Sequence, residues 1–286
     1  MPKKFRVDLL LVDRGLAESR SLAQRLVMAG QVRADGQVVS KPAVKVSPDV
    51  QLTVDRGPQF VSRGGEKLLA AFNEFDLDVG GRVCADVGAS TGGFTDCLLQ
   101  HGAERIYAID VGKGILHWKL RKNPRVVVME ETNARFVENL PEPVSFVTID
   151  ASFISLKILL PVIKDWTSPP PPLPPSPSPL MERGRGVPAK EGGGGEVIAL
   201  IKPQFEAGKK EAARGKGVIR DPEVHRQVLF DVLEFTHNEQ FVIKGLKRSP
   251  VLGPKGNVEF LAWLGLDEGK KLSEKWRDWV DEVVLS

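Results

Sequence analysis

Short apolar runs separated by longer segments of mixed polarity dominate the larger, C-terminal part of the chain. Seven of these runs are five to seven residues long. They cover residues 83–87, 104–110, 125–129, 144–149, 196–201, 241–246 and 258–264. Runs of this length predict strands, and segments of helical spacing between them predict a mostly parallel sheet. We therefore predict an α/β, Rossmann-like fold for residues 61–270.

Residues 1–60 follow a different pattern, with two short helical stretches ahead of several short extended runs. Apolar residues at helical spacing occupy residues 7–11 and 22–28, and Ser19 is a candidate N-cap for the second helix. A hairpin is expected in residues 31–39, around the turn-forming pair Asp35-Gly36. This order predicts a small α+β domain.

Two further segments stand apart from these domains. Residues 167–195 contain repeated prolines followed by a glycine run, which predicts a disordered or polyproline II insertion. An inert loop is the simpler interpretation, and a site for a proline-recognising partner is the alternative. Residues 271–286 predict an amphipathic C-terminal helix that packs on the domain, with membrane contact as the alternative.

Composition favours a cytoplasmic protein. Hydrophobic residues make up 42% and charged residues 27% of the 286 positions. No apolar run is long enough to span a bilayer, and the basic start is not followed by the apolar region of a secretory signal. Cys84 and Cys97 form no C-x-x-C pair and no cluster with the four histidines. We therefore expect two buried thiols and no metal site; the oligomeric state is not indicated.

Positive charge is concentrated in two places although the net charge is only +3. Residues 1–67 contain twelve Lys and Arg against seven Asp and Glu, and residues 240–258 contain four cations and no acid. A local basic excess indicates a polyanionic partner, with an ordinary solvated surface as the alternative.

The first strand of the larger domain leads directly into a glycine-rich loop. Residues 86–96 have the sequence Asp-Val-Gly-Ala-Ser-Thr-Gly-Gly-Phe-Thr-Asp, and a helix is expected from about residue 94. Such a unit presents backbone N–H groups and a positive helix end to a ligand. Because the G-x-G-x-x-G spacing is missing, a nucleoside cofactor without pyrophosphate is favoured, most commonly S-adenosylmethionine. An ordinary βα turn is the alternative.

Polar side chains also follow the later strands. Asp110 ends the second strand, 18 residues beyond Gly92, where a carboxylate commonly binds a cofactor ribose. Asn133 follows the third strand and Asp150 ends the fourth. Since ligands bind at the carboxyl ends of such strands, we expect these side chains to converge with Asp86. The candidate cofactor-binding residues are Asp86, Gly88, Ser90, Gly92, Gly93, Phe94, Asp110, Asn133 and Asp150.

The residues around this crevice restrict which atom could accept a methyl group. Residues 150–153, Asp-Ala-Ser-Phe, lack the prolines typical of amino-group methylation. Neither cysteine lies where a nucleophile for carbon-5 methylation is needed. What remains is Asp150, a lysine after the fifth strand (Lys202) and a lysine before the first (Lys67). Two lysines near an acid suit a ribose 2′-hydroxyl, which must be deprotonated or polarised before it attacks.

The N-terminal segment resembles the small αL-type RNA-binding domain of a ribosomal protein, of pseudouridine synthases and of a tyrosyl-tRNA synthetase. The matching motifs lie at residues 6–11, 19–23, 30–36 and 41–42. The resemblance implies docking onto structured RNA through contacts to its backbone. The candidate RNA-binding residues are Arg6, Arg20, Arg25 and Lys41.

The chain as a whole resembles the TlyA (haemolysin A-like) rRNA methyltransferases. The motif of residues 86–96 is the strongest match. Further matches are Arg-Gly-Gly-x-Lys at 63–67, His-Trp-Lys-Leu-Arg at 117–121, Lys-Pro-Gln-Phe-Glu at 202–206 and Gly-Asn-x-Glu-Phe at 256–260. The resemblance implies an FtsJ-like, S-adenosylmethionine-dependent methyltransferase fold with the catalytic set Lys67, Asp150, Lys202 and Glu259. It also implies 2′-O-methylation of cytidines in ribosomal RNA of assembled subunits.

Two other classes of function stay open from the sequence. A membrane-active haemolysin would need a spanning or large amphipathic segment, and the sequence offers only the short C-terminal helix. An RNA-binding ribosome-assembly factor would need no catalytic residues, and the pair of lysines near an acid argues against that class.

Overall fold

The computed structural model describes residues 4–55, 57–167, 194–208, 217–266 and 274–285. The chain divides into two compact units, Met1–Gln59 and Phe60–Ser286. The predicted insertion at residues 167–195 lies almost wholly outside the described residues, so its disorder stays a prediction.

The N-terminal unit combines two helices with short antiparallel strands. The elements are β1 (Phe5–Arg6), α1 (Val7–Asp13), α2 (Arg20–Met28), β2 (Val32–Ala34), β3 (Gln37–Val38), β4 (Lys45–Val46) and β5 (Leu52–Val54). Strand β1 pairs with β4, and a second sheet has the order β3-β2-β5. Ser19 caps α2 as predicted, because its Oγ accepts the backbone N–H of Leu22 at 3.2 Å. Asp35 and Gly36 have φ of 48° and 79°, the left-handed pair that a tight hairpin turn requires.

The C-terminal unit is built on a seven-stranded sheet. Its elements are α3 (Gly64–Glu74), β6 (Val83–Val87), α4 (Gly93–Gln100), β7 (Arg105–Ile109), α5 (Trp118–Arg121), β8 (Val126–Met129), β9 (Phe146–Ile149), α6 (Leu156–Trp166), β10 (Glu196–Ile201), α7 (Pro203–Glu206), α8 (Pro222–Asn238), β11 (Val242–Arg248), β12 (Phe260–Gly265) and α9 (Trp276–Leu285). Two 3₁₀ turns lie at Ala134–Phe136 and Pro254–Gly256. The α/β fold is confirmed.

The sheet has the order β11-β12-β10-β9-β6-β7-β8. Strands β8, β7, β6, β9 and β10 are parallel, whereas β12 pairs antiparallel with both β10 and β11. The chain order reverses between β6 and β9, and such a switch point opens a crevice at the strand ends. The ends of these two strands therefore position the site.

Two apolar layers cover the sheet. One contains residues of α6, α8 and α9, and the other contains residues of α3, α4 and α5. The C-terminal helix packs in the first layer, where Trp276 is 1% exposed, so its predicted packing on the domain is confirmed. Cys84 and Cys97 are free and buried as predicted. Burial raises the pKa of the Cys84 thiol to about 12.

Candidate active site

A cavity of about 350 Å³ lies at the carboxyl ends of β6 and β9. Its lining combines backbone from the glycine loop with two lysines and an acid. The lining residues are Ser62, Arg63, Gly64, Lys67, Gly88, Ala89, Ser90, Thr91, Gly93, Phe94, Asp150, Ser152, Lys202 and residues 251–254. A cleft of this size can hold a nucleoside-sized ligand.

The glycine loop is shaped by close backbone contacts. Gly88 has φ of 82°, and a Cβ added there would lie 2.7 Å from the carbonyl oxygen of Asp150. A Cβ at Gly93 would lie 2.7 Å from the backbone nitrogen of Gly65. The start of α4 therefore touches the start of α3, the helix that carries Lys67. Gly65 of the Arg-Gly-Gly-x-Lys motif is explained by a different contact, because a Cβ there would lie 2.2 Å from the ring of Phe60.

Asp86 stabilises the glycine loop through hydrogen bonds to α4 and β9. It is completely buried, and its carboxylate accepts hydrogen bonds from Thr95 Oγ1 at 2.6 Å and Thr148 Oγ1 at 3.0 Å. Burial raises the pKa of Asp86 to about 6, although both threonine bonds lower it. Asp86 thus joins β6, α4 and β9, and it does not line the cavity.

Asp110 and Glu130 shape the wall beside the loop. The Asp110 carboxylate accepts the backbone N–H of Ser90 at 2.8 Å and of Gly112 at 2.7 Å. Glu130 accepts the N–H groups of residues 114–116 at 2.7 to 3.1 Å and pairs with Arg121. This pairing lowers the pKa of Glu130 to about 2. Glu130 was not predicted, because its contacts with Arg121 and with three backbone N–H groups arise only in the folded chain.

A second cavity, of about 380 Å³, adjoins the first through Ser152, which lines both. Its other lining residues are Val111, Asn133, Arg135, Phe153, Ile154, Ser155 and Ile158. The Asn133 Oδ1 accepts the backbone N–H of Arg135 at 3.1 Å. Residues that follow β7, β8 and β9 (Val111, Asn133 and Ser152) thus line one cavity. Of the four side chains expected to converge, Asn133 and Asp150 line the two cavities, whereas Asp86 and Asp110 line neither.

Four charged side chains from distant parts of the chain meet at the first cavity. Lys202 Nζ lies 2.6 Å from Asp150 Oδ1, and Lys67 Nζ lies 2.6 Å from Glu259 Oε2 and 4.0 Å from Asp150 Oδ2. Lys67 and Lys202 are 8% and 6% exposed, and Glu259 is fully buried. Two cations and two anions therefore form one compensated cluster, as buried charges require.

Further residues hold this cluster in place. Ser152 Oγ accepts a hydrogen bond from Lys202 Nζ at 3.1 Å, and Gln204 Nε2 donates to Glu259 Oε1 at 3.0 Å. Asn257 accepts the N–H of Ile219 and donates to two backbone carbonyls, all at 3.0 Å. The loop that carries Glu259 is thereby fixed. Gln204 and Asn257 lie inside motifs noted in the sequence, but their partners could not be read from spacing.

The candidate RNA-binding residues of the N-terminal unit differ in whether they contact a buried acid, and Arg20 is exposed although it does. Arg6 and Arg20 bond to Asp8, which is fully buried: Arg6 Nη2 and Arg20 Nε lie 2.8 and 3.2 Å from its carboxylate. The Arg6 guanidinium holds the pKa of Asp8 well below its usual range. Arg25 and Lys41 are exposed.

This arrangement defines a Rossmann-like methyltransferase with an appended α+β unit. The model of the FtsJ-like methyltransferase family matches residues 60–266, and that of the S4 domain matches residues 5–52. The chain belongs to the FtsJ-like methyltransferase family and carries an S4 domain.

Named relatives are similar over nearly the whole chain. The 16S/23S rRNA (cytidine-2′-O)-methyltransferase TlyA of Mycobacterium tuberculosis is 41% identical, covering 96% of this chain and 95% of its own. Hemolysin A of Brachyspira hyodysenteriae is 37% identical, covering 90% of this chain and 98% of its own. A solved structure described as a candidate hemolysin from Streptococcus thermophilus has 38% identity and a TM-score of 0.67, covering 100% of this chain and 96% of that one.

Proposed function

We propose that this protein transfers a methyl group from S-adenosylmethionine to the ribose 2′-hydroxyl of cytidines in ribosomal RNA. The relative named for this reaction shares 41% identity along nearly the full length. The S4 domain supports ribosomal RNA or a ribosomal subunit as the partner, and therefore action in the cytoplasm.

The single observation that carries this proposal is the meeting of Lys67 and Lys202 on Asp150 beside the glycine loop. The three residues are separated by 83 and 52 positions in the sequence, yet all line one cavity. A non-catalytic RNA-binding protein would gain little from burying two lysines and two acids together, because burial of charged groups is costly.

The cavity suits S-adenosylmethionine by its donor set. Loop residues 88–93 expose backbone at the start of α4, and the Asp110 carboxylate retains lone pairs for a ribose hydroxyl after accepting two N–H groups. We propose that Gly88, Ser90, Gly93 and Phe94 bind the cofactor directly, with Asp110 and Asn133 on its nucleoside side. Asp86 and Gly92 would shape the loop. The cofactor supplies an electrophilic methyl group.

The chain's own residues prepare the nucleophile. Asp150 Oδ1 and Ser152 Oγ fix Lys202 Nζ at the cavity wall. Once the ammonium group has released its own proton to solvent, the neutral amine can hydrogen-bond an incoming 2′-hydroxyl and take its proton. Glu259 holds Lys67 on the other side of Asp150, where its positive charge stabilises the developing alkoxide. Positioning supplies most of the remaining catalysis.

The proposed reaction can be tested on ribosomal subunits from cells that lack this protein. Incubation with purified protein and S-adenosylmethionine should create 2′-O-methylcytidine at discrete positions, detected as protection of the adjacent phosphodiester from alkali. Methyl groups on bases, or none in either subunit, would contradict the proposal.

Lys202→Ala tests the assigned proton acceptor. We expect a loss of methyl transfer of at least about 100-fold, the scale of one general base, with cofactor affinity by calorimetry within about threefold. Lys157→Ala, on α6 outside both cavities, is the matched control and should keep full activity. Turnover of Lys202→Ala close to wild type would refute the assignment.

Membrane activity is the second candidate, favoured by the name of the Brachyspira relative. Within the described residues no helix is long and apolar enough to cross a membrane. Release of dye from liposomes by the purified protein would support this candidate, and intact liposomes at concentrations that saturate methyl transfer would count against it.

A further inference from the structure

One exposed tryptophan lies beside the glycine loop and has no place in the site described above. Trp118, the first residue of α5, is 60% exposed, which is unusual for so large an aromatic side chain. The ammonium group of Lys122 lies 5.5 Å from the centroid of its ring. Lys119, the next residue, is also exposed.

The helix below this ring is firmly anchored. Leu120 is 3% exposed and packs against Gly92, where an added Cβ would also lie 2.9 Å from Leu116. The backbone N–H of His117 donates to the carbonyl of Thr91 at 3.1 Å. Thr91 belongs to the glycine loop and lines the first cavity. The buried face of α5 is therefore attached to the glycine loop. The outward position of Trp118 is therefore fixed next to the cavity.

The segment that carries the ring is rich in positively charged residues. Residues 113–125 contain five lysines and arginines and no acid. Lys113 is paired with Glu131 at 3.0 Å and Arg121 with Glu130, so these two are neutralised locally. Lys122 lies beside the exposed ring, and Lys119 is its exposed neighbour in the sequence. An aromatic face bordered by ammonium groups is the combination that binds unpaired nucleic acid, with the base on the ring and phosphates on the cations.

We propose that Trp118, Lys119 and Lys122 form an RNA-docking surface of the methyltransferase domain. An unpaired base stacks on Trp118, and the adjacent phosphates bind the two lysines. The inference rests on the proposed RNA substrate and adds a contact on the catalytic unit to those of the S4 domain.

The test compares Trp118→Ala, Trp118→Phe and Lys119→Ala/Lys122→Ala with wild type. Binding of a labelled single-stranded oligocytidine RNA is measured by anisotropy over a range of salt. Trp118→Ala should weaken binding by roughly 5- to 100-fold, and Trp118→Phe should retain most of it. The double lysine variant should reduce the slope of log K against log salt by about 1.4, since each phosphate contact on a single strand contributes about 0.7.

Kinetics on ribosomal subunits then distinguish RNA from the cofactor or a ribosomal protein as the partner of Trp118. Trp118→Ala should raise KM for the subunit while kcat and the Kd for S-adenosylmethionine stay unchanged. Leu285→Ala, which removes an 85% exposed apolar side chain from α9, is the control and should alter none of these values.

Three results would overturn the inference. A weaker Kd for S-adenosylmethionine in Trp118→Ala would assign the ring to the cofactor site. Unchanged affinity for the oligonucleotide with a raised KM for subunits would indicate a ribosomal protein as the partner. Unchanged values in both assays would remove any docking role. If wild type transfers no methyl group to subunits, the proposed function fails, whereas the oligonucleotide assay still decides whether this surface binds RNA.

Discussion

Single hydrogen bonds decide how the charged cluster of Lys67, Asp150, Lys202 and Glu259 is held. Gln204 has one buried amide nitrogen that donates to Glu259, and its amide oxygen has no hydrogen-bond partner among the described residues. The donated bond to a carboxylate stabilises by about 1.5–3 kcal/mol, and the unpaired oxygen costs about 1–3 kcal/mol. The two terms nearly cancel for folding, so Gln204 contributes to the orientation of Glu259 more than to stability.

Replacing Gln204 with Met should separate these two effects. We expect the free energy of unfolding to change by less than about 1 kcal/mol, because the donor and the unpaired oxygen disappear together. The value of kcat should fall roughly 10- to 100-fold, because Glu259 then holds Lys67 less firmly. Urea unfolding and steady-state kinetics measure the two quantities. Gln204→Glu places an acceptor against Glu259 and should be slower still; equal kcat in all three proteins would contradict this role.

Asp86 should give stability a dependence on pH. Because its pKa in the folded chain is about 6, above the ordinary value of about 4, the folded state keeps a proton that the unfolded state loses. This contribution to the free energy of unfolding is fully present below about pH 4. It amounts to roughly 3 kcal/mol and is lost as the pH rises through 6.

Asp86→Asn, which can still bond both threonines, should lack this decline. Urea unfolding of the two proteins at several values between pH 4 and pH 7 measures the difference. Parallel curves for the two proteins would show that Asp86 is not responsible.

At the scale of elements, long apolar runs were well predicted and short helical turns were not. The bounds of β6 and β10 agree with the predicted residues 83–87 and 196–201, because every residue of each strand after the first is buried. Helices α5 and α7 have four residues each and were missed, since one turn shows no periodicity. The four charged site residues were placed through a family resemblance, whereas Gln204 and Asn257 depend on contacts between distant segments.

The helices of the S4 domain give the candidate RNA-binding arginines different roles. Arg6 and Arg20 compensate the buried Asp8, and the Arg20 contact ties α2 to α1. Arg25 is exposed on α2 and is assigned no such structural contact. Arg25→Ala should weaken RNA binding and lower the salt slope by about 1 without affecting unfolding. Asp8→Asn should instead destabilise the domain by about 2 kcal/mol. Thermal unfolding and RNA titrations across salt concentrations measure both; a stability loss in Arg25→Ala would contradict this division.

At the scale of the whole molecule, each unit has its own apolar core. We therefore expect a substitution that abolishes cofactor binding to leave RNA binding by the S4 domain intact, and the reverse. Gly88→Ala should abolish binding of S-adenosylmethionine, because its Cβ would collide with the backbone of Asp150 and φ is positive.

The reciprocal variant is Arg25→Ala/Lys41→Ala, which should bind S-adenosylmethionine normally and RNA weakly. Calorimetry with the cofactor and anisotropy with RNA on both variants complete the comparison. Loss of RNA affinity in Gly88→Ala would show that the two activities are linked.

The backbone contact between Gly93 and Gly65 affects how loss-of-function variants should be interpreted. A Cβ at Gly93 would lie 2.7 Å from the backbone nitrogen of Gly65, so any larger residue at Gly93 displaces the glycine loop and the helix that carries Lys67 together. Such a variant would lose cofactor affinity and turnover at once, although it alters none of the four charged side chains of the site. A genetic screen scored only by the modification of RNA would assign such a variant to cofactor binding alone or to catalysis alone. Excess S-adenosylmethionine would restore only part of the lost rate.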